Sequence, residues 1–256
     1  VKEAYIRMGF EEVEGPIIVP SFWNFDYLFT PQDHPARDMM DTFFLKNPKT
    51  IQIEAEEKEV RRIGRVHRKG WKEKWNRSIA SAALLRTHNT AVSAMQIHSI
   101  LSGIRSEEIR KGRPLKFFTV GRVFRNENID YRHYTEFYQT DGIMIGKDIT
   151  ISNLFWLLEG FYKHFGIKVK FVPVYFPFVE PGVEVRTYYE ERGEWLELGG
   201  AGMVRQEITG IRRKKVRVLA WGLGLERILM IRNKEVRSLS EIYEPSISWI
   251  SKANGL

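Results

Sequence analysis

The feature that most constrains this chain is a pair of strand-like runs, Phe117–Glu127 and Glu136–Ile145, joined by the polar loop Asn128–Thr135. Both are rich in aromatic and β-branched residues, and their spacing predicts a hairpin. Side chains alternate faces along a strand. One face of the first run then carries Gly121, Val123, Arg125 and Glu127, and one face of the second carries Phe137, Gln139 and Asp141. If the runs pair and those faces coincide, an arginine, an aromatic ring, an amide and two carboxylates share one surface. Such a face is not core, because burying unpaired charges costs several kcal/mol each. A solvated face rarely holds a phenylalanine in the middle of such a set, so the mixture reads as a ligand surface. Its chemistry suits a nucleotide. Arginine forks two bonds onto a phosphate, and a ring stacks on a base for about 1–3 kcal/mol. Glu127 can accept from an exocyclic amine, while Gln139 and Asp141 suit a substrate ammonium and polar group.

Further strands are expected at Glu11–Val19, Asp41–Leu45, Thr50–Glu54, Lys168–Val174, Val183–Tyr189, Glu194–Met203 and Val216–Trp221. Helices are expected at 90–110, 149–165 and Leu225–Arg232, with the end of another at residues 1–8 and Gly9 as its C-cap. Many strands with few helices, and no strict alternation, favour an α+β fold with an antiparallel sheet. The 256 residues suit one domain. A first helix without an N-cap suggests a piece of something longer. The absence of cysteine excludes a disulfide scaffold, a thiolate zinc site and a cysteine nucleophile. No apolar run is long enough for a membrane span and no signal peptide opens the chain, so the expected partners include no membrane and the expected address is cytoplasmic. A net charge of +8 suits a polyanionic partner. Nine of the basic residues lie between Lys58 and Arg77, which reads either as a solvated face or as a contact for RNA phosphates.

Three other segments stand out. In 172–180, Phe176, Phe178 and Glu180 occupy alternate positions, giving either plain core or an aromatic pocket with a charged rim. In Trp195–Gly202 a strand enters three glycines, which marks either a bulge or turn or a close approach of backbone to ligand. In Ala220–Arg227 a strand passes through Gly222 and Gly224 into a helix. The third glycine of a dinucleotide fingerprint is missing, but Arg227 falls in the first helical turn, where side chain and helix terminus can both face an anion.

Together these pieces resemble the class II aminoacyl-tRNA synthetases. Gly9–Pro16 (GFEEVEGP) resembles the first motif of that class, Phe124–Glu127 (FRNE) the second and Gly222–Arg227 (GLGLER) the third. His34–Met39 (HPARDM), Leu84–His88 (LLRTH), Tyr175–Pro181 (YFPFVEP) and Trp195–Met203 (WLELGGAGM) narrow the likeness to the alpha subunits of phenylalanine–tRNA ligases, over nearly the whole chain.

The resemblance implies a single catalytic domain over 1–256, an antiparallel sheet flanked by helices, without the family's N-terminal tRNA-binding extension. It implies ATP-dependent activation of phenylalanine to the adenylate, with magnesium, and transfer to the 2′-hydroxyl of the terminal adenosine of tRNA(Phe). It also implies a beta subunit as partner, in an α2β2 assembly. Arg125 would hold the α-phosphate and Arg227 the γ-phosphate. Glu127, Phe137 and Gly224 would complete the ATP site, and Glu180 and Glu197 are the metal candidates. Phe176, Phe178, Val179 and Ala220 would enclose the phenyl ring. His88, Thr90, Gln139 and Asp141 would orient the ammonium and carboxylate. Asp141 stands where the family usually has Glu, a shorter reach. The alternatives are a class II relative that activates another amino acid, and a degenerate binding module. Retention of Arg125, Glu127 and Arg227 argues against the last.

Overall fold

The structure, a computed structural model, describes residues 1–38, 41–104, 107, 109, 111–126, 128, 130, 134–210, 216–233, 236 and 239–244. In chain order the elements are α1 (Lys2–Arg7), β1 (Glu11–Glu12), β2 (Ile18–Pro20), α2 (Glu57–Gly70), α3 (Arg77–Ala80), β3 (Ala83–Leu85), α4 (Thr90–Ser99), β4 (Leu115–Phe124), β5 (Glu136–Lys147), α5 (Ile151–His164), β6 (Lys170–Pro173), β7 (Val179–Tyr189), β8 (Glu194–Val204), α6 (Gln206–Thr209), β9 (Val216–Gly224), α7 (Leu225–Arg232) and α8 (Leu239–Tyr243). A seven-stranded sheet runs in the order β1-β4-β5-β9-β8-β7-β6. Only the short β1 pairs in parallel, with β4; the rest of the sheet is antiparallel.

Local chemistry sets several boundaries. Gly9, at φ +79°, takes the chain out of α1 in a backbone region that side chains avoid. Asn153 reaches back to accept from the Thr150 N–H at 2.8 Å and closes the start of α5.

The hairpin has the register its alternation requires. Thr119 faces Asp141, Gly121 faces Gln139 and Val123 faces Phe137. Each side of the sheet covers a separate core. On one, α1 and α5 close over Phe118, Met144, Leu219, Trp221 and Leu196. On the other, Phe117, Ile143, Ile145, Val218 and Ala220 meet α2, α4 and the aromatic turn Phe22–Asp26. Burying either cluster removes hundreds of Å² from water at about 25 cal/mol per Å². The turn is pinned by a buried ion pair, Arg37 Nη1 to Asp26 Oδ2 at 3.0 Å. Trp75 and Gln32 donate to the other Asp26 oxygen at 2.6 and 2.9 Å.

Five segments differ from expectation. The run Glu11–Val19 is not one strand: only Glu11–Glu12 and Ile18–Pro20 are paired strands, and they belong to different sheets. Asp41–Leu45 and Thr50–Glu54 form single bridges, Phe44 to Leu84 and Thr50 to Ala82, because the β2–β3 ribbon they border is only three residues long. Residues Phe176–Phe178 form the turn between β6 and β7 rather than a strand with alternating faces. Strand β9 continues through Gly222 and Gly224, which pair with Asp141 and Gln139, so the expected glycine turn is strand.

Candidate active site

A cleft of about 380 Å³ opens where the apolar face of the sheet runs out. On that face β9 presents Val216, Val218, Ala220, Gly222 and Gly224 in turn, while β5 beside it presents Ile145, Ile143, Asp141, Gln139 and Phe137. The side chains of one strand shrink as those of its neighbour become polar. A Cβ on Gly222 would lie 2.4 Å from Gln139 Nε2 and 3.1 Å from Asp141 Oδ2, so only glycine leaves these groups their places. Strand β8 bulges at Gly199, whose φ of +156° and 2.0 Å approach of a would-be Cβ to the Gly222 carbonyl exclude other residues. The bulge shifts the β7–β8 register between Val185 and Arg186 and re-aims the strand. Glu197 and Gly200 both line the cleft as a result.

One end of the cleft is cationic. Arg125 follows β4, and its Nε donates to the Thr87 carbonyl at 3.0 Å, which fixes the guanidinium 5.2 Å from the Phe137 ring centre. Arg227 stands in the first turn of α7, N-capped by Gly224. Its Nη1 donates to the Glu197 carbonyl at 2.6 Å, and the Glu197 carboxylate lies 3.8 Å away. Two arginines, an aromatic ring and a helix terminus are what a nucleoside polyphosphate requires.

The other end is buried and polar. The Thr90 hydroxyl donates to Asp141 Oδ2 at 2.6 Å. Burial pushes the Asp141 carboxyl up to about 7, against the opposing pull of Thr90, Arg86, Arg125 and Gln139. The same cause, with Arg125 adding to it, holds His88 down at about 3, so its ring stays neutral. Asp141 Oδ1, Gln139 Oε1, His88 Nδ1 and Asn89 Oδ1 are buried without a hydrogen-bond partner among the described residues. Phe176 and Phe178 close this end from the β6–β7 turn, Phe176 resting over Gly200.

The structure thus brings together His88, Thr90, Arg125, Phe137, Gln139, Phe176, Phe178, Glu197, Gly224 and Arg227, with Asp141 in the floor behind Gly222. Glu127 lies outside the described residues. Val179 and Ala220 are buried in the core beneath the aromatic pair rather than lining the cleft. Glu180 is also displaced. It pairs with Arg205 at 3.2 Å, and Glu197 sits opposite Arg186, six residues further along β7. The regular stretch Gly182–Arg186 alone separates their backbone positions by about 13 Å at about 3.3 Å per residue, and Glu180 is held by Arg205, so the two are not placed to share one ion. Among the described residues no group of three or more His, Asp or Glu could hold a metal. Two carboxylates line the cationic end, Glu197 and Glu226, and Glu226 is already engaged by the Tyr138 N–H and the Tyr243 hydroxyl.

Sequence reasoning passed over several contributors. Asn89 Nδ2 donates to the Gln139 carbonyl at 2.6 Å and to that of Gly121 at 3.3 Å, holding the hairpin from outside the sheet. Arg86 donates to the carbonyls of Arg122 and Gly15 at 2.9 and 3.0 Å. Both lie within or beside the LLRTH run, which was the available signal. Glu226 accepts from the Tyr138 N–H at 2.5 Å and from the Tyr243 hydroxyl, and burial raises its carboxyl. Tyr134, stacked on Tyr243 at 5.1 Å, and Leu239 bring α8 to the cleft rim, and nothing in their own pattern announces this.

An antiparallel sheet with one arginine just past a hairpin strand and another opening the helix after the last strand is the arrangement of a class II synthetase core. The chain belongs to the family of tRNA synthetases class II core domain (F), which it matches over residues 1–253. Among its relatives, a protein of Methanocaldococcus jannaschii is 42% identical over 98% of this chain and 51% of its own length. One of Methanopyrus kandleri is 42% identical over 91% and 44%, and one of Pyrobaculum aerophilum 45% over 90% and 45%. Each is named phenylalanine–tRNA ligase alpha subunit. The chain spans about half the length of these relatives. No helix among the described residues is long and apolar enough to cross a membrane.

Proposed function

We propose that this chain is the catalytic core of a cytoplasmic phenylalanine–tRNA ligase that works with a beta subunit. The observation that carries the reading is one cleft with a cationic, ring-bearing end and a buried polar end closed by two phenylalanines, joined over glycines. The phenylalanine carboxylate attacks the α-phosphorus of ATP and pyrophosphate leaves. The acyl group then passes from the adenylate to the 2′-hydroxyl of the terminal adenosine of tRNA(Phe), and AMP leaves with the hydroxyl proton. A carboxylate is already a nucleophile and pyrophosphate leaves as an anion, so positioning and neutralisation of phosphate charge do most of the work. Arg125 takes the α-phosphate and Arg227 the γ-phosphate, while Phe137 stacks on adenine. Asp141 and Thr90 receive the ammonium, and Phe176 and Phe178 flank the phenyl ring. Glu197, the cleft carboxylate not engaged by Tyr138 and Tyr243, would help to hold magnesium, which would lower the charge on the leaving group.

The test is ATP–pyrophosphate exchange in the presence of the beta partner. Exchange that depends on phenylalanine supports the proposal. Exchange with another amino acid alone selects a relative of different specificity. No exchange with any amino acid, and no ATP binding, identifies a degenerate module.

A further inference from the structure

The basic stretch 58–77 divides into two sets. The first is paired in place, four cations on three carboxylates: Lys58 with Glu56 at 2.5 Å, Arg61 with Glu57 at 3.0 Å, Arg62 with Glu59 at 2.7 Å and Arg77 with Glu57 at 2.6 Å. The second set, Arg65, Arg68, Lys69, Lys72 and Lys74, is exposed. Among the described residues none of these five has a carboxylate partner. Glu73, the one acid among them, is turned inward to accept from the Gln32 N–H at 2.8 Å and to meet His67. Arg65, Arg68 and Lys69 are three and four residues apart, so they share a face of α2, and Lys72 and Lys74 follow its end. Beside them a groove of about 450 Å³ is walled by Phe29, Trp71, Tyr175, Lys69 and Arg205, with one acid, the exposed Glu207, at its edge. Tyr175 is 60% exposed. It faces this groove while Phe176, the next residue, faces the cleft, so the β6–β7 turn is a wall common to both.

We propose that this face of α2, with the groove beside it, docks the phosphate backbone of RNA and stacks a base on Tyr175 or Trp71. Uncompensated cations this close repel one another, and a polyanion relieves that repulsion. Aromatic rings set among cations are the pattern that holds unpaired nucleotides. A lipid surface fits less well. A membrane-lying helix turns its apolar face outward, whereas the apolar side of α2 (Val60, Ile63, Gly64 and His67) is buried in the protein. The inference rests on the proposed action on tRNA and adds the surface that holds it.

The test compares the full chain with Arg65→Glu/Arg68→Glu, with Tyr175→Ala, and with Lys163→Glu/Lys168→Glu, a control of equal charge at exposed positions elsewhere. Binding of a fluorescent tRNA transcript is measured by anisotropy across a potassium chloride series, with circular dichroism to verify each fold. Phenylalanine-dependent exchange, which needs no RNA, is run in parallel with the beta partner and reports on the proposed reaction independently. The α2 pair should weaken binding by about tenfold or more at low salt and reduce the salt slope by about 2, roughly 1 per cation. Tyr175→Ala should weaken binding with the slope unchanged. Arg65→Gln/Arg68→Gln, which removes charge without reversing it, should give an intermediate loss. Equal losses in the α2 and control pairs would overturn the proposal, as would unchanged tRNA binding in every variant. Salt-dependent capture of anionic phosphatidylserine vesicles in place of tRNA would overturn it too.

Discussion

Replacing Asp141 with Asn should make the free protein more stable while destroying its use of the amino acid. The Asp141 carboxyl is 1% exposed, and burial moves it from 3.8 to about 7. The difference between those two values corresponds to about 4 kcal/mol. The folded state binds the proton more tightly than the unfolded chain. Stability from this group is therefore complete below about pH 4 and is lost as pH rises, until above about pH 7 the full cost of a buried carboxylate is present. Asparagine removes that cost and keeps a carbonyl oxygen to accept from the Thr90 hydroxyl. In urea unfolding without ligand, followed by tryptophan fluorescence, Asp141→Asn should gain at most about 4 kcal/mol over wild type at pH 8 and under about 2 kcal/mol at pH 5. Calorimetry should show no phenylalanine binding to the variant, and wild-type affinity should fall below pH 7 as the carboxylate is protonated. A gain that is the same at both pH values, or a variant less stable at pH 8, would refute the reasoning. Either result would mean that Asp141 is not charged at a desolvation cost in the free protein.

Three other variants separate the parts of the site from its frame. Arg227→Ala should lower phenylalanine-dependent exchange by about 10²- to 10³-fold, the usual loss of one preorganised charge, with phenylalanine binding unchanged; exchange at the wild-type rate removes Arg227 from the phosphate site. Gly222→Ala would put a Cβ 2.4 Å from Gln139 Nε2 and force the amide aside. It should weaken phenylalanine in a calorimetric titration while ATP binding holds, and equal weakening of both would mean that the sheet itself has shifted. Arg37→Ala strips the buried Asp26 of its cation and should cost about 3–5 kcal/mol in urea unfolding; a change below about 1 kcal/mol would show that Trp75 and Gln32 satisfy Asp26 alone.

The sheet was legible where alternation and register act together. Phe137, Gln139 and Asp141 are readable as one face because a strand has period two, and opposing Gly121 to Gln139 brings Arg125 to the same end. What escaped depends on groups that touch the sheet from outside it. Asn89 acts through two backbone carbonyls on other elements, and a sequence does not mark which carbonyl an amide will find. The aromatic pair was identified, but its geometry was misjudged. Phe176 and Phe178 look alternate because they are two apart, yet a turn also brings such residues to one side. Glu180 was assigned by the same spacing, and it falls outside the cleft once the turn ends and β7 begins.

Among the described residues, seven buried side-chain polar atoms have no hydrogen-bond partner, and four of them belong to the consecutive pair His88 and Asn89 and to Gln139 and Asp141, which alternate on one face of β5. A buried polar atom left unpaired costs about 1–3 kcal/mol, so such atoms should be scattered if they were accidents of packing. Those of His88, Gln139 and Asp141 lie at one end of one cleft, so the fold holds this cost where a polar ligand can remove it. The glycines that create the space have the same logic. Ala220 keeps the core closed, while Gly222, one step along the same face, leaves Gln139 and Asp141 without a covering side chain. Filling Gly222 and neutralising Asp141 are therefore opposite perturbations of one design. The first blocks the site sterically without relieving its electrostatic cost, and the second relieves that cost and leaves the space open. If Asp141→Asn gains stability and Gly222→Ala does not, while both lose phenylalanine, the instability of this corner is tied to its charge and its binding to both charge and shape.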